Sequence, residues 1–234
     1  MNQSQFVPYG TYIDIINTIG KWKIIDLKTL TSFCNFGVSY KNLAVKVKTL
    51  EKEGFVRSVN LKRKRKHIFL SNKGIQLTGH DNTYEITDES LGHDILVGTA
   101  LRSLLENDLF LDGRMFHEVD ESDINPDAVI TGSKDSLTYE LAIEVELTQK
   151  SSSRVKSKYS RYFRSKSFDY CLFITNKESL YKAYKRFLGE MTKEVQGKII
   201  LMHTEKLRPD QFIYEGEQCY FKGEDKNFED IFCE

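Results

Sequence analysis

The sequence predicts a mixed α/β chain of two modules, a helical one closed by a β-hairpin and then a larger one in which strands and helices alternate. Three observations predict it. Charge divides the chain: residues 1–80 carry 14 Lys/Arg and 4 Asp/Glu (+10), residues 81–234 carry 20 and 30 (−10), so a net charge of zero hides two opposed halves. In the first half the apolar spacing is helical three times before it turns to strand-like alternation. In the second half short apolar runs alternate with helical patterns, which implies a sheet with some parallel pairing. With 234 residues the chain has room for two modules with real cores, and the boundary is expected at residue 80, giving 1–80 and 81–234.

Residues 11–23 place Ile15, Ile16, Ile19 and Trp22 at helical spacing. Asp26 is a cap for a second short helix ending at Phe33. Residues 38–53 form a third, with Ser39 as cap, Leu43, Val47 and Leu50 facing inward, and Gly54 ending it. Phe55–Val59 reads as a strand, Lys62–Lys66 as a turn of consecutive cations and His67–Leu70 as the returning strand. Three helices followed by a hairpin is the order of a winged helix. The stretches Leu50-Glu51-Lys52-Glu53-Gly54-Phe55-Val56 and Leu70-Ser71-Asn72-Lys73-Gly74 resemble those of many winged-helix transcription regulators.

In winged-helix geometry the third helix enters the major groove. Its outward positions include Tyr40, Lys41, Asn42, Lys46 and Lys48; Asn42 suits adenine, and the lysines suit phosphate or guanine. Arg57 and the run Lys62, Arg63, Lys64, Arg65 and Lys66 form the wing. A charge run is usually just a solvated turn. Five consecutive cations at a hairpin tip, in so basic a module, favour a nucleic-acid role and binding that salt weakens steeply.

Residues 80–88 read as a linker, and 89–106 as an amphipathic helix with Leu91, Ile95, Leu101 and Leu105 near one stripe. Strands are expected at Met115–Val119, Asp127–Ile130 and Tyr139–Leu147, the last two separated by a polar turn at Gly132–Ser136. A basic helix over 152–165, a buried strand Phe168–Thr175, a helix over 177–195, a strand Lys198–His203 and a short strand Gln218–Phe221 follow. The cysteines, Cys34, Cys171, Cys219 and Cys233, lie far apart without a CxxC pair, against a zinc site or a disulfide framework. The start, Met1-Asn2-Gln3-Ser4-Gln5, lacks the pattern of a signal peptide, and no apolar run approaches a membrane span, so a cytoplasmic protein without membrane insertion is expected.

The chemistry sits in Pro126-Asp127-Ala128-Val129-Ile130 and Leu141-Ala142-Ile143-Glu144-Val145-Glu146-Leu147. Residues two apart on a strand share a face, so Glu144 and Glu146 point one way, with Thr148 and Lys150 if the strand runs that far, and Ile143, Val145 and Leu147 point into a core. Taken alone this is an amphipathic strand with a solvated acidic face. Three features favour a site. Like charges side by side on a β face are unfavourable unless neutralised. Asp127 heads the neighbouring strand. The following helix supplies Arg154, Lys156, Lys158, Arg161, Arg164 and Lys166, with no acid between Leu147 and Phe168. Carboxylates that hold Mg²⁺ or Mn²⁺, with cations beside them for a phosphate, are what phosphodiester cleavage needs.

Helix, strand, strand with Pro126-Asp127, strand with Glu144-Val145-Glu146 and basic helix, in that order, resemble the PD-(D/E)xK nuclease superfamily, and so imply a restriction-endonuclease-like α/β domain. The resemblance implies Asp127 and Glu144 as the acidic pair. It places Glu146 where the family has Lys, a departure shared by some restriction enzymes. Lys150 and Lys158 are candidates, by position, for the missing positive charge. The family often adds an acid from its first helix; Glu89, His93 and Asp94 are candidates, the last two better placed.

A narrower resemblance rests on a winged helix joined to this core, His93 opening the first helix and Lys158-Tyr159…Tyr162 on the basic helix. It is similar to the plasmid replication-relaxation group, which includes the MobC-type mobilization relaxases. That implies a bacterial, metal-dependent nickase acting at a plasmid transfer origin. Mg²⁺ or Mn²⁺ would be held by Asp127, Glu144, Glu146 and His93, and Arg154 and Arg161 would touch DNA. The partners implied are an accessory DNA-binding protein and a coupling ATPase, the protein itself being a monomer or homodimer. Tyr159 and Tyr162 are either nucleophiles that would hold the 5′ end covalently or structural residues; water is the usual nucleophile in such sites, which favours the second. His93 is more naturally a hydrogen-bonded support than a direct ligand. Two other functions stay open: a non-catalytic DNA-binding regulator with a degenerate nuclease fold, and a restriction- or transposition-type endonuclease.

Overall fold

The computed structural model describes residues 6–33, 37–61, 65–80, 88–117 and 124–232. The chain divides into two compact units, Met1–Thr87 and Asp88–Glu234.

The first unit runs α1 (Thr11–Trp22), β1 (Ile24–Asp26), α2 (Leu27–Phe33), α3 (Tyr40–Lys52), β2 (Val56–Leu61), β3 (Arg65–Leu70) and α4 (Asn72–Ile75). Local chemistry fixes the helix ends. Asp26 Oδ1 accepts the backbone N–H groups of Lys28 and Thr29, each at 3.0 Å, and so caps α2. Ser39 caps α3 by accepting from the Asn42 N–H at 3.4 Å. Gly54, at φ 77°, closes α3. Its N–H donates to Glu51 O at 3.1 Å and that of Phe55 to Leu50 O at 2.9 Å, a Schellman pattern open to glycine because it lacks a Cβ. Ile15, Ile16 and Ile19 of α1, Leu30 of α2, and Leu43, Val47 and Leu50 of α3 close on one core. An antiparallel sheet in the order β1-β3-β2 lies beside it.

Two details differ from the sequence reading. β1 was not expected; Ile24-Ile25-Asp26 is too short to show alternation and is a strand because it pairs with β3, Ile24 opposite Phe69. Arg65 and Lys66, expected in the turn, belong to β3 opposite Leu61 and Asn60. Lys62, Arg63 and Lys64 lie outside the described residues.

The second unit runs α5 (Asp88–Leu104), β4 (Phe110–Met115), β5 (Ala128–Lys134), β6 (Leu137–Glu146), α6 (Ser152–Arg164), β7 (Tyr170–Thr175), α7 (Glu178–Gly189), α8 (Lys193–Gln196), β8 (Ile199–His203), β9 (Gln218–Phe221), β10 (Glu224–Asn227) and α9 (Phe228–Phe232). The strands form one mixed sheet, β10-β9-β8-β7-β6-β5-β4. Pairing is parallel across β6-β7-β8 and antiparallel on either side. The chain is therefore mixed α/β. Val155, Tyr159 and Tyr162 of α6 and Leu180, Tyr184, Phe187 and Leu188 of α7 cover the face bearing Ala142, Cys171, Phe173 and Leu201. α5 packs on the other face, where Leu101 lies against Gly113 of β4.

Corrections here concern lengths and edges. The first strand is Phe110–Met115, with an irregular register near its start. Phe116 and His117, expected to continue it, do not, and Glu118 and Val119 lie outside the described residues. The helix expected over 177–195 is two, α7 and α8; β10 and α9 were not foreseen. β5 and β6 run further toward each other than expected. Their turn is only Asp135-Ser136, both at positive φ (52° and 64°) between Lys134 and Leu137, as a two-residue type I′ hairpin needs. Gly132 thus belongs to the strand, and the ring of its cross-strand partner Tyr139 fills the space a Cβ would take. Among the described residues no helix is long and apolar enough to cross a membrane.

Candidate functional site

β6 is central in the sheet, and its end carries the acids. One step beyond the pair Ala128–Ile143, Asp127 stands opposite Glu144. The backbone fixes it there: the Asp127 N–H donates to Ile143 O at 3.0 Å, and the Val145 N–H donates to Asp127 Oδ2 at 2.8 Å. Glu144 and Glu146 are each only 2% exposed. The solvated acidic face expected of an isolated amphipathic strand is therefore not what forms. A central strand with helices on both faces buries both alternations, and these carboxylates face α6.

Cations meet them there. Lys158 Nζ lies 2.5 Å from Glu144 Oε2 and 3.2 Å from Glu146 Oε1. Lys150 Nζ lies 2.8 Å from Glu146 Oε1 and 2.7 Å from its Oε2. Tyr162, one turn after Lys158 on α6, donates its hydroxyl to Glu144 Oε1. From α5, His93 Nε2 lies 2.9 Å from the Val145 carbonyl and 3.3 Å from Asp127 Oδ2. A carbonyl oxygen only accepts, so Nε2 carries the proton and donates.

Burial pushes the Glu144 carboxyl up to about 7, even with the Lys158 ammonium against it. Burial works to lower Lys158, and the charges of Glu144, Glu146 and Asp127 outweigh it and raise it. The two shifts pull apart on one ion pair. The cation is the firmer half, because three carboxylates favour it, so Glu144 is the member that titrates. Burial would raise Asp127, yet the hydrogen bond and charge of His93, with Lys158 behind, hold it below the usual range. Burial works to lower His93, and Asp127 overcomes it and raises the imidazole.

Asp127, Glu144, Glu146, Lys150, Lys158, Tyr162 and His93 are brought together; Tyr159 is not. Its ring is wholly buried and its hydroxyl donates to Tyr184 O at 3.3 Å, away from the acids. Burial raises both tyrosine hydroxyls, and Tyr162 is already committed to Glu144, so neither is set up as a nucleophile. His93, donating through Nε2, has no lone pair there for a metal. Glu146 is neutralised by two ammonium groups, Lys150 on both of its oxygens and Lys158 on one, whereas Glu144, whose oxygens accept from Lys158 and Tyr162, meets a single cation. His93 thus stands in the geometry of a hydrogen-bonded support, the sense the sequence favoured, and Glu146 in that of an anchor for two lysines. Asp94 is buried, 3.8 Å from His93 Nδ1. The side chain of Glu89 lies outside the described residues.

The sequence reading missed the Val145 carbonyl, a backbone atom with no residue-type signature. Burial raises the hydroxyl of Tyr184, which lies within electrostatic reach of Glu146 without a hydrogen bond of ordinary geometry.

In the first unit Tyr40, Lys41, Asn42 and Lys48 are exposed on α3. Lys46 lies over the Tyr12 ring at 4.4 Å and Lys66 pairs with Glu51 at 2.6 Å, so both are engaged within the unit. Arg57 is exposed with its guanidinium 5.5 Å from the Phe69 ring, and Arg65 is exposed on β3. Arg154 and Arg161 are exposed on α6.

For a divalent ion the donors present are the Asp127 and Glu144 carboxylates and the Val145 carbonyl, hard oxygens of the kind Mg²⁺ and Mn²⁺ take. Among the described residues no group of three or more His, Cys, Asp or Glu side chains is arranged to hold a metal. A magnesium-type site needs no such cage, since one or two carboxylates with water and a substrate phosphate suffice. The residues fit that kind of ion and not a closed zinc site.

No family model and no curated protein matches this sequence. Among solved structures, the restriction endonuclease FokI bound to DNA is similar over 84% of this chain and 43% of its own, at 10% identity and a TM-score of 0.28. This chain thus spans less than half that enzyme's length. So slight a likeness carries no weight for function.

Proposed function

We propose that this protein is a metal-dependent DNA endonuclease whose first unit binds duplex DNA and whose second unit hydrolyses a phosphodiester bond. One observation carries the reading: Asp127, Glu144 and the Val145 carbonyl meet at the end of β6 with the Lys158 ammonium beside them. Asp127, Glu144 and that carbonyl would hold Mg²⁺ or Mn²⁺. Such an ion, when bound, polarises a phosphoryl oxygen and acidifies water. Lys158 takes the part of the lysine absent from position 146. Two of its three N–H donors go to Glu144 and Glu146, and the third is suited to a phosphate oxygen whose charge grows in the transition state. Glu146 anchors Lys158 and Lys150. Tyr162 fixes the Glu144 carboxyl, and His93 fixes Asp127 and the Val145 carbonyl.

The finer form is nicking of one strand at a plasmid transfer origin, with an accessory DNA-binding protein and a coupling ATPase as partners; its support is the resemblance of the motifs. The commitment of both tyrosines favours water as the nucleophile, hence a free nick without a protein–DNA adduct on a denaturing gel. A second reading, a DNA-binding regulator without catalysis, is favoured by Glu146 standing at the motif lysine.

The test is supercoiled cognate plasmid with wild type and Glu144→Ala, in Mg²⁺ or Mn²⁺ and in EDTA. Metal-dependent open circles from wild type alone are expected. Linear product would indicate double-strand cutting instead. Equal binding and no cleavage by either protein would leave the regulator.

A further inference from the structure

The outward face of α3 centres on an apolar side chain. Val45 is 60% exposed, whereas Leu43, Val47 and Leu50 are wholly buried. Lys41 and Asn42 lie one turn before Val45 and Lys48 one turn after, so the four share a face. Residues 40–50 contain no acid, and Glu51, the next residue, is turned onto Ser58 and Lys66. Thr49 returns its hydroxyl to Val45 O at 3.1 Å and offers little to a partner. Tyr12, Val38, Asn42 and Val45 line an open hollow at the side of this face.

Single exposed valines need no explanation. This one lies among cations and an amide on a face whose charge complements a polyanion. In the major groove only thymine presents a methyl group, while adenine offers the donor–acceptor pair that asparagine matches. Resting on the reading of the first unit as a DNA-binding module, we infer that Val45 is a specificity-determining residue that packs on the 5-methyl of a thymine, with Asn42 on an adenine edge nearby. The preferred site therefore contains an A·T step under the middle of α3.

The experiment starts from the full chain and a random-sequence pool of duplexes, from which bound sequences are selected. Each thymine of a selected duplex is then replaced by deoxyuridine, which lacks only the methyl group. At one position the wild type is expected to bind about fourfold more weakly after replacement, the worth of one buried methyl. Val45→Ala, an exposed change that leaves helix content intact by circular dichroism, is expected to bind both forms alike. Lys41→Ala is expected to weaken both forms and keep their ratio.

Selection of a clear sequence with indifference to every deoxyuridine would overturn the inference and leave DNA binding standing. So would binding without any sequence enrichment. No binding to any duplex at low salt would sink the DNA-binding reading and this inference with it.

Discussion

Glu144 is held between opposed influences, and its behaviour with pH follows from them. Its carboxyl is raised to about 7 from an ordinary 4.5 by burial, so the folded state holds this proton more tightly than the unfolded chain does. Its contribution to stability is full below that ordinary value and is lost as pH rises toward about 7. Urea unfolding of the metal-free protein should show this decline, and Glu144→Gln should flatten it. Mg²⁺ affinity should run the other way, tightening between about pH 6 and about pH 8 because the ligand must be ionised; calorimetry that found no such change would remove Glu144 from the metal. Lys158→Met leaves two buried carboxylates without their shared cation. It should cost up to about 3 kcal/mol at alkaline pH, and less under acid, where Glu144 takes up its proton. Cleavage by that variant should fall by about 10²- to 10³-fold.

Elements fixed by nearby chemistry were legible in the sequence. The three helices of the first unit, the capping roles of Asp26 and Ser39 and the stop at Gly54 all depend on residues within a turn or two of one another. β1 and β10 were not legible, because strands of three or four residues exist only through partners distant in sequence. The polar run at Gly132-Ser133 read as a turn for a related reason: only the Tyr139 ring across the ladder explains a glycine there. Gly132→Ala should therefore cost about 1–3 kcal/mol by overpacking, seen as a lower thermal midpoint, whereas a glycine of a true loop would tolerate alanine. Within the site, the sequence marked Asp127, Glu144 and Lys158 as candidates by type and position. Burial of Glu144 and Glu146 follows from β6 lying mid-sheet, and the Val145 carbonyl carries no side-chain signal at all.

The whole chain balances a basic unit against an acidic one, so binding and chemistry should separate cleanly. Replacing Lys41 and Lys48 together by alanine should weaken DNA binding and lower the slope of log K against log salt by about 2 if both touch phosphates. Mg²⁺ affinity should not change in that variant. Glu144→Ala should do the reverse, keeping the salt slope and losing the metal. A result in which both variants lost both properties would mean that the units do not act as separate modules.

The placement of the lysine on α6 also couples it to position 146. Glu146→Lys would crowd a third ammonium beside Lys150 and Lys158, strip Lys150 of its partner and leave Lys158 with Glu144 alone. That variant should be less stable than the parent and inactive. It should recover only when Lys158→Gln vacates the place, with thermal unfolding and plasmid nicking as the readouts. Two positions that each look free to change are thus bound by epistasis. A change that shifts this charge between strand and helix must therefore alter both residues together.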